Sequence, residues 1–364
     1  QTTLLARWLA DRGHDVSMVT WDEGQPDGIV LDGVRVYKTC RRDRGIPGIR
    51  FLTPRWASLN GALRRADAQV HYQNCGEYVT GQVAIWSRIH RRKFVYVAIW
   101  SRIHRRKFVY SVASDPDCMP DLPLMKTVRE RVLYRYGLRN ADRVIVQTRN
   151  QQRLLGGGFG IESGILPMPC PGPDPEEYIP PDPPVDGNGR VLWIGRIDRV
   201  KRPDRFLDVV EACPGLGFDL VGPAGGDSYA REILERAARS PNLRVHGGVP
   251  RDDIPTYYRN AACLCSTSDV EGFPNTFLEA WSYGVPVVST IDPDDLILEK
   301  GLGTVARDVP GLVAALRGMM ASPERWTGTS NRARAYFLET HHVSRVMPRM
   351  ERLFLELSSS PSDG

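Results

Sequence analysis

Short apolar runs alternate with helical stretches along almost the whole of this chain, and one Pro-rich break interrupts them. In the second half the runs are 191–197, 217–223, 243–249, 262–268 and 285–290. In the first half they are 16–21, 34–40, 68–73, 107–114, 142–148 and 163–169. Helical patterns lie between them, at 3–13, 59–66, 79–93, 122–138 and 151–157 in the first half, and from Val309 onward the tail reads as mostly helical. Buried strands separated by helices pack as parallel sheets covered on both faces. The break, PCPGPDPEEYIPPDPPVDGNG at 169–189, sustains neither a helix nor a central strand. The expectation is therefore α/β: two Rossmann-like, doubly wound parallel-sheet domains facing a cleft. The first spans 1–168, the linker 169–189 and the second 190–340. A C-terminal helix at 341–358 and a tail at 359–364 follow. Ligands of such sheets bind outside the carboxyl ends of the strands.

Composition closes off other classes. At 364 residues, 41% hydrophobic and 25% charged, the chain can bury a large core. No stretch approaches the ~18–20 uninterrupted apolar residues of a membrane span. The opening residues lack a basic leader before an apolar block, so no signal peptide is expected. Seven cysteines, at 40, 75, 118, 170, 213, 263 and 265, form no C-x-x-C pair and read as reduced core thiols. Cys263 and Cys265 should share one face of a buried strand. The seven histidines show no metal-ligand spacing. The expected location is cytoplasmic.

The formal charge of +5 misleads. VAIWSRIHRRKFVY stands at 83–96 and again, identically, at 97–110. One copy accounts for four of the five charges, through Arg88, Arg91, Arg92 and Lys93 or their counterparts Arg102, Arg105, Arg106 and Lys107. A nucleic-acid partner inferred from overall charge thus reduces to one local basic run. That run reads as a solvated helix face, with peripheral contact at the inner face of a membrane as the alternative. The helix–strand unit needs one copy. The second copy is expected to supply the strand, with the surplus extending the helix or looping out.

Three strand ends in the second half carry chemistry. After VLWI comes Gly195-Arg196-Ile197-Asp198-Arg199-Val200-Lys201. Arg196 offers a bidentate fork and Lys201 a point charge, which suit a diphosphate, and Gly195 lets the backbone come close. After ACLCSTS comes Asp269-Val270-Glu271-Gly272-Phe273-Pro274-Asn275-Thr276-Phe277-Leu278-Glu279. Glu271 falls in the loop and Glu279 about one turn into the next helix. Pro274 suits a helix start, and the N–H groups there favour an anion. The two carboxylates can accept hydrogen bonds from sugar and ribose hydroxyls. The third strand end, His246-Gly247-Gly248-Val249-Pro250, reads equally as a nucleobase cradle or a plain turn.

GRIDRVK together with S-x-S-D-V-E-G-F-P-N-T-F-L-E-A-W-S-Y-G-V-P-V-V-S resembles the donor half of the retaining glycosyltransferases of family 4, which have the GT-B fold. The resemblance implies transfer of a sugar from a UDP- or GDP-linked donor to a glycan or lipid-linked acceptor, with retention, in polysaccharide or glycolipid synthesis. It implies catalytic roles for Arg196, Lys201 and Glu271. It implies donor contacts at Gly195, Val249, Gly272, Phe273, Asn275, Thr276 and Glu279. The C-terminal helix would cross back to the first domain. No metal or other cofactor is expected: Asp115-Pro116-Asp117 matches a D-x-D metal pattern by letters only. Ser114 and Asp115, with His71, Tyr72 and Gln73, are the acceptor-side candidates. Two departures stand out. The first strand and Gly-rich loop usual in the family are expected to be missing before residue 1, which would leave this chain's first sheet short of a core strand. The second departure is the tandem copy. Other classes are a non-catalytic nucleotide-sugar-binding protein on the same fold and a sugar-nucleotide epimerase. A nicotinamide dehydrogenase is disfavoured, because no G-x-G-x-x-G follows a first strand.

Overall fold

The computed structural model describes residues 2–46, 51–74, 78–89, 106–184 and 189–359. The chain divides into two compact units, 1–166 with 347–364, and 167–346.

In the first unit the order is α1 (Thr2–Asp11), β1 (Ser17–Thr20), β2 (Ile29–Leu31), β3 (Val34–Lys38), α2 (Ala57–Ala66), β4 (Val70–Asn74), α3 (Tyr78–Ile89), β5 (Lys107–Ser111), α4 (Val128–Arg139), β6 (Arg143–Val146), α5 (Arg149–Phe159) and β7 (Gly164–Ile165). Its strands fall into two sheets rather than one: β1-β3-β2, and an all-parallel β4-β5-β6-β7. Sequence reading missed β2, a three-residue strand that returns antiparallel to β3 through Asp32-Gly33, both at positive φ. The alternation of β5 and β6 explains how the second sheet is covered. Phe108, Tyr110, Val144 and Val146 face α4 and α5. Val109 and Ile145 face Leu353, Phe354 and Leu357 of the C-terminal helix. Helices α3 and α4 pack closely because Gly81 and Gly137 carry no Cβ; one on Gly137 would stand 2.7 Å from Thr80.

Two element boundaries differ from expectation. α4 starts at Val128, not Leu122. Thr127 accepts from the Glu130 N–H while Glu130 accepts from the Thr127 N–H, a reciprocal cap that stops the helix there. Leu122 at φ +49° and Pro123 keep the preceding turn non-helical. The strand expected at 163–169 shrinks to two residues, because Pro167 and Pro169 cannot donate to a ladder. The second copy does supply β5 through Lys107–Tyr110. Residues 90–105, with the surplus and most of the basic run, lie outside the described residues, as does Cys75. Two cations of the run are not surface groups. Arg106 is buried and pairs with Asp67, and Lys107 stands 3.7 Å from Asp142.

The second unit contains β8 (Arg190–Ile194), α6 (Pro203–Ala212), β9 (Gly217–Val221), α7 (Ser228–Ala237), β10 (Leu243–Gly247), α8 (Ile254–Arg259), β11 (Ala261–Ser266), α9 (Asn275–Ser282), β12 (Val287–Ser289), α10 (Leu296–Lys300), β13 (Gly303–Val305), α11 (Val309–Met320) and α12 (Pro323–Thr340). α13 (Val343–Ser359) follows, and from Met347 it belongs to the first unit. Six parallel strands are ordered β10-β9-β8-β11-β12-β13. Period-two alternation makes two cores. Val191, Trp193, Phe218, Leu220, Cys263 and Cys265 pack with α6, α7 and α11. Leu192, Val221, Leu264 and Val287 pack with α8, α9 and α12. Burial pushes the Cys265 thiol up to about 12 and holds the Cys263 thiol well above its usual range, which suits inert core thiols. Much of the Pro-rich segment read as a linker is packed on this unit: Tyr178 lies 4.0 Å beneath the Arg334 guanidinium. No helix among the described residues is long and apolar enough to cross a membrane.

Candidate active site

The strand order of the second sheet reverses between β8 and β11, the chain running outward through β9 and β10 on one side and β12 and β13 on the other. Loops leaving two such neighbours diverge and open a crevice at their carboxyl ends. The two motif-bearing loops are these two, Gly195–Lys201 after β8 and Thr267–Pro274 after β11.

Hydrogen bonds stitch the loops together. Asp198 Oδ1 accepts from the N–H groups of Val200 and Lys201 at 3.1 and 3.0 Å and shapes the first loop. The Asp269 N–H donates to the Val200 carbonyl at 3.0 Å. Thr267 Oγ1 accepts from Trp193 Nε1 at 3.0 Å and lies 2.8 Å from the Arg202 carbonyl. Arg202 and Arg205 both reach Asp269. Burial alone would raise the Asp204 carboxyl, but hydrogen bonds from Arg202 and Tyr229 outweigh it and hold it at about 2. Lys201 is thereby aimed at Glu271, and the two form a half-buried ion pair. Arg196 extends into solvent, 3.4 Å from Asp198.

Glu279 occupies the second turn of α9 and is bound twice. Arg251 pairs with it, and the Tyr258 hydroxyl donates to its other oxygen at 2.8 Å. Burial and the neighbouring carboxylate push the Tyr258 hydroxyl far above its usual range, so it stays a donor. Neither partner was singled out from the sequence. Between the two glutamates, Phe273 is buried against Trp281 and against His341, whose ring is 5.1 Å away. That packing holds Gly272 and Pro274 at the start of α9. Pro274 is the N-cap and has no side-chain acceptor for the first N–H groups of the helix, near which Asn275 and Thr276 stand.

Glycine-rich strand ends complete the crevice. The Gly195 N–H donates to the Val221 carbonyl at 3.0 Å, and the Gly222 N–H to that of Gly247 at 2.7 Å. Gly222 sits at φ +147°, and a Cβ there would overlap the Gly195 carbonyl. Sequence reading had not marked it; the signal was L-V-G-P at a strand end. Val249 packs against the core under α9, while His246 turns to Asp219 at 2.7 Å.

The structure thus brings Gly195, Lys201, Glu271, Gly272 and Phe273 together at one switch point, with Arg196 on the rim. The acceptor-side candidates lie in the other unit. Tyr72 packs edge-on to Phe354, and Gln73 Nε2 donates to Thr80 at 3.1 Å. Gln73 also lines a cavity of about 230 Å³ with Thr20, Arg55 and Gln82. His71 is buried. Ser114 Oγ donates to Asp117 at 3.0 Å, and Asp115 accepts from Asn150 at 2.8 Å. The two aspartates of the D-x-D pattern are therefore each bound to a different neighbour. Among the described residues, no three His, Cys, Asp or Glu groups stand together as a metal site.

Residues 188–322 match the family model for glycosyl transferases group 1, and residues 1–171 match that for the glycosyl transferase 4-like domain. Both halves of the chain thus match glycosyltransferase family models, and the architecture is that of the GT-B fold. Among solved structures the chain is similar to the sucrose-phosphate synthase of Thermosynechococcus elongatus. The TM-score is 0.75 at 17% identity, over 98% of this chain and 92% of that one. It is similar also to Anabaena HepE in complex with UDP and glucose, with a TM-score of 0.72 at 17% identity over 96% and 94%. Among curated relatives it is 29% identical to the D-inositol 3-phosphate glycosyltransferase of Nocardiopsis dassonvillei, over 42% of this chain and 40% of that protein. It is 27% identical to the GDP-mannose-dependent alpha-(1-6)-phosphatidylinositol monomannoside mannosyltransferase of Mycolicibacterium smegmatis, over 56% and 58%. The chain spans about half the length of these curated relatives.

Proposed function

We propose that this chain moves a hexose from a nucleotide-sugar donor to an acceptor hydroxyl with retention at the anomeric carbon, in glycolipid or polysaccharide synthesis. The observation that carries this is the arrangement of Glu271 and Glu279. One lies beside Lys201 at the mouth of the switch-point crevice, the other is held by Arg251 and Tyr258 a turn into α9. Glu279 accepts from the ribose hydroxyls, and Glu271 from hydroxyls of the transferred sugar. Arg196, Lys201 and the N-terminus of α9 take the diphosphate. The backbone from Gly247 to Val249 lies against the base.

In the transfer, the bond from the anomeric carbon to the diphosphate oxygen breaks and a bond to the acceptor oxygen forms on the same face. The acceptor proton passes to the leaving diphosphate oxygen. Arg196 and Lys201 stabilise the charge that grows on that leaving group. No metal is called for in this scheme, since two side-chain cations and a helix terminus already balance the diphosphate. Acceptor contacts are assigned to Ser114, Asp115, Tyr72 and Gln73, and the work to the cytoplasmic face of a membrane. HepE, which binds UDP and glucose, and the GDP-mannose-dependent mannosyltransferase support a nucleotide-sugar donor carrying either base.

The test is calorimetric titration of UDP- and GDP-linked hexoses into the full chain and into Glu279→Ala. One donor should bind saturably and lose about ten- to a hundredfold in affinity in the variant, the cost of deleting a charged hydrogen-bond partner. Absence of binding to every donor by folded protein would overturn the reading.

A further inference from the structure

Helix α4 shows an outward face that the transfer chemistry does not use. At 100° per residue, Val128, Arg131, Val132, Arg135 and Arg139 fall on one side, and Tyr134, Gly137 and Leu138 are buried on the other. Val128 is 76% exposed and Val132 56%, and Leu124, just before the helix, 64%. Among the described residues none of Lys126, Arg129, Arg131, Arg135 and Arg139 is paired with a carboxylate. Arg131 and Arg135 donate to the neutral carbonyls of Met125 and Pro120. Arg129 lies 4.3 Å over the ring of Phe51, whose neighbour Leu52 is also exposed. The one acid of the helix, Glu130, points away from this face and is engaged in the N-terminal cap.

We infer that this face of α4 docks on an anionic lipid surface. Exposed aliphatic side chains interleaved with unpaired cations need an apolar phase beneath a negatively charged layer, and a bilayer interface supplies both. A nucleic-acid backbone would satisfy the arginines and leave Leu124, Val128 and Val132 in water. Five cations, against the capped Glu130 and the exposed Asp121 ahead of the helix, leave the patch net positive and complementary to acidic headgroups. The surface is independent of the crevice, so the inference survives or falls apart from the donor assignment.

The test is co-sedimentation of the full chain with vesicles of phosphatidylcholine alone or containing about 30% phosphatidylglycerol. Wild type should be retained by the anionic vesicles only, and released at ~0.5 M salt. Lys126→Gln with Arg139→Gln, neither of which makes a side-chain hydrogen bond or ion pair among the described residues, should weaken binding roughly 25-fold, at ~5-fold per charge. Val128→Asp with Val132→Asp should abolish retention while the far-ultraviolet spectrum is unchanged. Ile179→Asp, an exposed aliphatic in the other unit, should bind as wild type. Failure of wild type to bind anionic vesicles overturns the inference. So does full binding by the Val128→Asp, Val132→Asp protein, the behaviour of a purely electrostatic surface such as one for nucleic acid.

Discussion

Glu279 shows how a candidate site residue depends on neighbours far away in the chain. Its partners Arg251 and Tyr258 lie 28 and 21 positions upstream, on the loop after β10 and on α8. The motif around Glu279 was legible because strand, loop and helix follow one another locally. Its counter-ion was not, because only the sheet order brings the end of β10 beside α9. Gly222 is similar. L-V-G-P marks it as the end of a strand, but only the pairing of β8 with β9 sets it against the Gly195 carbonyl, at φ +147°. Gly222→Ala should cost on the order of 3 kcal/mol, because both the backbone angle and the overlap oppose a Cβ. Urea unfolding followed by tryptophan fluorescence would measure it. An unchanged midpoint would mean that the two strand ends separate freely.

Elements were read well where the pattern was long and poorly at their edges. Periodicity placed every strand of the second sheet except β13, a three-residue strand whose G-T-V is too short to register. α4 was extended six residues too far, although T-V-R-E at 127–130 is the signature of a capped start. Thr127→Ala removes one arm of that cap and should cost about 1 kcal/mol. Hydrogen exchange at the N–H groups of residues 128–131 should speed up accordingly, with the far end of α4 unaffected. Protection equal to wild type would show that packing on α3 alone holds the helix start.

At the scale of the molecule, His341 ties distant segments of the second unit together. Its Nδ1 lies 2.9 Å from the Met168 carbonyl, its Nε2 3.3 Å from the Tyr336 hydroxyl, and its ring packs on Phe273. A carbonyl only accepts, so Nδ1 carries the proton and Nε2 accepts from the tyrosine. Burial holds this histidine down to about 4, hence neutral at pH 7. Between about pH 6.5 and 4 the unfolded chain binds a proton that the folded chain refuses. Stability from this group is therefore full above the unfolded value and falls as the pH drops through that window, by about 3 kcal/mol. His341→Gln should be less stable at pH 7 yet lose less between pH 7 and 4.5, as read from urea midpoints. Parallel pH profiles would show that another group controls acid unfolding. The depressed Asp204 does not compete here, because its stability is lost lower, between about 4 and 2.

Taken by itself, the sequence determined the α/β class and the all-parallel second sheet, and it singled out Arg196, Lys201, Glu271 and Glu279 as candidates. These rest on periodicity and on local strand–loop–helix order, which neighbouring residues specify. The tertiary structure alone decided that the first unit's strands form two sheets. It also decided which cations neutralise which carboxylates, and that Arg106 of the basic run is buried against Asp67 while the arginines of α4 face outward. The reason is physical. Strand pairing and ion pairing join residues tens of positions apart, and their partners are chosen by how the sheets and helices pack rather than by the residues beside them in the chain.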